Sequence, residues 1–320
     1  MHAASVILLC WAMIGAACFF PSAGAGVTAG ILAVLVAVVG LPHGAADHRF
    51  ARPRLEPVLG MAWLPVFLLG YLAVAVAVVG GWFVAPAVTI VAFFLASAWH
   101  FGREEPRLPV GPRCLRPAFR FARGGLVIWT PMVFHTKEVG EILALVSPVG
   151  SGPEIHRVID ALVICSWIML AIAAVAWVLE GLAAWAHGGL RRRILLADNA
   201  LVASLVTLFA VASPLVSFPI YFCAWHSARG LKRLRRELGE SWPELARSLA
   251  PLTAGAIALI AAGAWWVLGG AGWNDTLIRA TFVGLSALAM PHLLLHGIAP
   301  LFEESARRPT TQPLGLGGPA

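Results

Sequence analysis

The sequence predicts an all-α fold, a polytopic transmembrane helical bundle of about eight to ten spans with both termini cytoplasmic. Three observations carry this. Of the 320 residues, 59% are hydrophobic and only 12% are charged, where a soluble domain carries roughly 25% charged residues. So little polar surface could not cover a soluble globule of this size. Apolar runs near the length that crosses roughly 30 Å of hydrocarbon recur along the whole chain. Finally, the basic residues are gathered in alternate connections, as the positive-inside rule requires.

The runs fall at about 4–20, 26–43, 57–79, 82–101, 125–147, 157–185, 195–212, 215–227, 249–269 and 279–300. The first lacks a basic leader and a small-x-small cleavage site, so it reads as a span and not a removed signal peptide. The fifth is interrupted by His135, Lys137, Glu138 and Glu141. The eighth is too short to cross alone and reads as a half-helix or as borrowing from its neighbours. A single domain over 1–308 is expected, because helices satisfy their own backbone groups in lipid. The Pro/Gly-rich end, 309–320, reads as a disordered cytoplasmic tail.

Connections 48–56, 103–123, 187–194, 228–248 and the stretch after 301 hold 20 of the 23 Lys and Arg residues. That side is expected to face the cytoplasm, in the cell (inner) membrane. The same rule accounts for the net charge of +7. No basic stretch is interleaved with aromatics for base stacking, so a nucleic-acid partner is not expected. The basic runs themselves read as topology signals and contacts to anionic headgroups. Cys10, Cys18, Cys114, Cys165 and Cys223 show neither CxxC spacing nor an even framework.

The histidines carry the chemistry. His43, His100 and His226 lie at the cytoplasmic ends of three different spans, and His292 and His296 in the cytoplasmic half of the last. Ionisable groups within spans are costly and face an interior or a cavity. Neutral imidazole is a common ligand for Fe, Zn and Cu, and His292 and His296 share one helical face. No thiolate or paired carboxylate accompanies them, which argues against structural zinc and a di-iron carboxylate centre. Any one such histidine is readily a satisfied interior group. Four helices at one depth point to a shared metal site.

Asp47 comes four residues after His43, so a helix continuing through that turn lets its carboxylate accept the imidazole N–H and act as an outer partner. Offsetting Arg49 or capping the next segment is the other role open to it. Pro42 and Pro291 precede histidines and free backbone carbonyls. Trp99 and Trp225 also precede histidines, and either line an apolar substrate cavity or belong to the interfacial aromatic belt.

PHGAADH at 42–48, WHFG at 99–102, WHS at 225–227 and PHLLLH at 291–296 resemble, in order, the motifs of the Brp/Blh family of membrane β-carotene 15,15'-dioxygenases. The resemblance implies a non-haem Fe(II) oxygenase. Such an enzyme cleaves the central double bond of β-carotene with O2 to give two retinal molecules, which could pass to a rhodopsin. It implies His43, His100 and His226 as iron ligands. One position departs from the family pattern, which has a second histidine four residues after that of WHS. Here that residue is Gly230, leaving His292 or His296 to complete the set. Two other readings are a histidine-based transporter or channel, and a non-catalytic or altered-substrate member of the same fold. A transporter requires a polar path across both halves of the membrane. A b-type haem protein needs two facing imidazoles, and a desaturase shows denser histidine boxes.

Overall fold

A computed structural model of the chain describes residues 2–19, 25–104, 110–147, 152–268 and 273–307, all but short connections of them helical. The tail expected at 309–320 lies outside the described residues. The α-helical segments among the described residues are, in order, α1 (His2–Phe19), α2 (Ala25–Leu35), α3 (Leu41–Ala45), α4 (Asp47–Leu59), α5 (Trp63–Val84), α6 (Pro86–Glu104), α7 (Arg116–Gly124) and α8 (Leu126–Phe134), then α9 (Thr136–Val146), α10 (Gly152–Trp185), α11 (Gly189–Val211), α12 (Pro214–Pro219), α13 (Ala228–Leu238), α14 (Trp242–Leu268) and α15 (Trp273–Arg307).

Five described stretches are long and apolar enough to cross a bilayer: Thr28–Val84, Gly152–Trp185, Gly189–Val211, Trp242–Trp265 and Asp275–Gly297. The chain is therefore a multi-pass helical membrane protein. The first of these, 57 residues long, turns at Ala46 and again after Leu59, so it comprises several helices. The 125–147 run folds as two short helices broken at His135, where φ is −128° and ψ is 36°. The 215–227 run continues directly into the basic helix α13, forming one composite rod.

Two stretches depart from α-geometry, and both bear on the histidines. Val36–Gly40 and Ile220–Ser227 are π-helical. Each lies close to a proline, Pro42 or Pro219, whose ring and missing N–H disfavour a regular turn. A π-helical turn inserts a residue into the α-register and re-aims the side chains beyond it, a device frequent at functional sites.

Polar bonds link distant helices within the apolar mass. Trp82 Nε1 donates to Ser286 Oγ at 2.9 Å, joining α5 to α15. Trp11 Nε1 donates to Ser204 Oγ at 3.2 Å, joining α1 to α11. Arg123 on α7 pairs with Glu180 on α10, both side chains withdrawn from the surface. The glycine of WHFG has a packing reason. A Cβ on Gly102 would lie 2.8 Å from the Arg120 carbonyl carbon, and one on Gly124 would lie 2.7 Å from Gly102 Cα. Only hydrogen at both positions lets α6 and α7 meet backbone to backbone. That contact holds the turn carrying His100.

Candidate metal centre

Four helical segments deliver one imidazole each to a common place. His43 sits on α3, beyond the first π-helical stretch. His100 lies near the end of α6, His226 within the second π-helical stretch, and His292 on α15 after Pro291. Their ring centres form a closed circuit. His43 to His226 is 5.1 Å, His226 to His100 is 5.4 Å, His100 to His292 is 4.9 Å, and His292 to His43 is 5.1 Å. Imidazoles bound to one ion at about 2.1 Å have neighbouring ring centres roughly 4.5–5.3 Å apart. One nitrogen from each of His43, His226 and His292 lies within 4.8 Å of the others.

The hydrogen bonds leave the inward nitrogens free. His292 Nδ1 donates to Asp47 Oδ1 at 2.8 Å and Oδ2 at 3.0 Å. Its Nε2 is then the acceptor, and it is buried with no partner among the described residues. His100 Nε2 is buried and unpartnered in the same sense. An orphaned buried acceptor is costly unless something fills its lone pair. Such an acceptor on His292, beside a second unpartnered ring nitrogen on His100, fits a transition-metal ion. A carboxylate on the far nitrogen of a ligating histidine fixes its tautomer and raises its basicity.

Asp47 therefore serves a different histidine from the one expected. Its oxygens face His292 and, at 3.3 Å, His296 Nε2, not His43. The chain turns at Ala46 and starts a new helix at Asp47, so the i, i+4 alignment with His43 is lost. The expected alternative, an offset of Arg49, is not seen either, because Arg49 pairs with Glu240 beyond α13. His296 stacks on Phe50 with ring centres 4.5 Å apart and lies 4.5 Å from the His292 ring.

Tyr71, one of only two tyrosines in the chain, escaped the sequence reading. Its hydroxyl donates to the Leu288 carbonyl at 2.8 Å and is 3.3 Å from Asp47 Oδ2. It thus ties α5 to the carboxylate and to α15. Nothing in a single sequence marks a tyrosine within an apolar run for this role.

The histidines line a cavity of about 340 Å³, a volume within the range of small-molecule sites, roughly 300–1,000 Å³. Beyond them the wall is apolar, with Phe93 and Phe94 from α6, Met132 from α8, Leu143 from α9 and Leu252 from α14 among its lining. His48 also reaches it. The two tryptophans expected beside the substrate are not in that wall. Trp99 is 46% exposed on the outer face, and Trp225 is buried beneath Arg229, whose guanidinium lies 5.0 Å from its ring. His135 stands at the α8–α9 break, away from the circuit.

The comparisons with known proteins agree with this geometry. The family model described as β-carotene 15,15'-dioxygenase matches residues 34–298. The β-carotene 15,15'-dioxygenase of uncultured marine bacterium 66A03 is 28% identical over 271 residues, covering 82% of this chain and 90% of the relative. The probable β-carotene 15,15'-dioxygenase Blh of Halobacterium salinarum is 29% identical over 255 residues, covering 72% of each. No solved structure matches. The family match begins before the first π-helical stretch and ends beyond His296, so it takes in every member of the imidazole circuit, and the chain belongs to the β-carotene 15,15'-dioxygenase family.

Proposed function

We propose that this chain is a non-haem Fe(II) oxygenase that cleaves the central 15,15' double bond of β-carotene with O2. The reaction consumes one O2 and leaves one oxygen on each of two retinal aldehydes. The observation that carries this reading is the closed imidazole circuit in the wall of an apolar cavity, in a chain of this family. His43, His100, His226 and His292 would hold the ion, with Asp47 orienting His292. His296 supports the carboxylate from its other side. Bound Fe(II) supplies the activation of O2 that a hydrocarbon substrate cannot provide.

The chain's own residues do the rest. The apolar wall takes up the polyene from the bilayer and excludes water from the reacting bond. The histidine circuit would fix which bond lies against the ion by its place along the cavity wall. The basic helices α4, α7 and α13 surround the histidine end, which supports a site facing the cytoplasm of the inner membrane, with both termini on that side. On that side retinal is available to a rhodopsin. A transporter needs polar groups along its path, and the cavity wall beyond the histidines is hydrocarbon.

Expression in bacteria engineered to accumulate β-carotene tests the activity. The expected result is loss of orange colour, with retinal appearing by chromatography. Unchanged carotene in cells holding folded, iron-loaded protein would refute the substrate. A second expectation concerns Asp47. Asp47→Asn keeps the shape and removes the charge, so ferrous affinity should fall by roughly 10–100-fold. Titration of the purified protein with ferrous ion reads this directly, and wild-type affinity would exclude the carboxylate's role.

A further inference from the structure

We propose that Gly230 is a positioning residue for His43, its bare Cα letting the backbone of α13 lie against the imidazole and fix the ring toward His226 and His292. This rests on the metal reading above.

The contact is closer than any other residue permits. A Cβ at position 230 would lie 2.7 Å from His43 Nδ1 and 3.4 Å from Nε2, and would collide with Cε1 between them. The His43 ring borders the cavity, so an added Cβ would turn it out of its present aim. On its other side the His43 ring meets His226 and His292, each with ring centres 5.1 Å away. Helix α13 is tied at its middle and just past its C-terminal end. Arg233 Nη2 pairs with Glu104 Oε2 of α6 at 2.7 Å, and Glu240, just past the helix, pairs with Arg49 of α4. Such partly exposed pairs are weak, so they bias the helix toward His43 without fixing it.

Helix propensity points the same way. Alanine would favour α13 over glycine at this position, in a helix whose neighbouring residues include Arg229, Lys232 and Arg233. The close approach to His43 gives that glycine a reason.

The test uses the full chain purified in detergent and titrated anaerobically with ferrous ion. Affinity, iron per chain and the electron paramagnetic resonance of the ferrous–nitrosyl adduct are read, with melting temperature as a fold control. Gly230→Ala is expected to weaken ferrous binding by about tenfold or more and to change the nitrosyl spectrum. In a His43→Ala background the same alanine should cost nothing further. Wild-type affinity and spectrum in Gly230→Ala would overturn the proposal, as would an equal loss in both backgrounds. Should Gly230→Ala fail to fold, the His43→Ala/Gly230→Ala pair must fold as His43→Ala does, or the collision is not the cause. Failure of the metal reading is separate: it appears as wild-type protein that retains no iron.

Discussion

Replacing His292 by alanine should empty the metal centre. It removes a nitrogen that is buried, unpartnered and backed by Asp47, so the loss in ferrous affinity should exceed the roughly 10–100-fold set by outer partners. Iron per chain by elemental mass spectrometry should fall to background, and retinal formation with it. His296→Ala gives the contrast. His296 faces the carboxylate, so its removal should stay within the outer-partner range. Equal iron in wild type and His292→Ala would refute the assignment, and equal loss in the two variants would merge their roles.

The largest expected effect on stability lies away from the site. Arg123 is 5% exposed and pairs with Glu180 across α7 and α10. Removing one partner of a buried pair leaves the other charge uncompensated, at a cost of about 3–5 kcal/mol. Arg123→Met should therefore unfold at a markedly lower temperature in detergent. Arg123→Met with Glu180→Leu should recover most of that loss, since packed hydrocarbon replaces a buried pair at little cost. A single variant melting like wild type would show that Glu180 finds water or another cation.

Much of this was legible before the fold was known, and the reasons differ by residue. Imidazoles stand out because lipid tolerates few ionisable groups, so five at one depth on four runs mark a site. The helical architecture follows from hydropathy alone. What periodicity could not show is where helices stop being α-helical. The π-helical stretches re-aim His43 and His226, and the turn at Ala46 sends the Asp47 carboxylate to the last helix. A sequence count treats 125–147 as one run, yet His135 breaks it, because helix continuity depends on tertiary packing as well as apolar length. Tyr71 and the cavity wall were invisible for a simpler reason. Apolar and aromatic residues look alike whether they face lipid or a ligand, and only the packing separates Phe93 from Trp99.

The partnership of Asp47 with His292 spans 245 residues, nearly the whole length of the matched region. During synthesis the early helices enter the bilayer long before the last one exists, so the centre cannot be assembled in parts. An ion that binds only the completed arrangement adds its binding energy to the whole bundle and to no fragment of it. Iron would thus discriminate between finished and unfinished chains, and its uptake would report that the final helix has been delivered to its place.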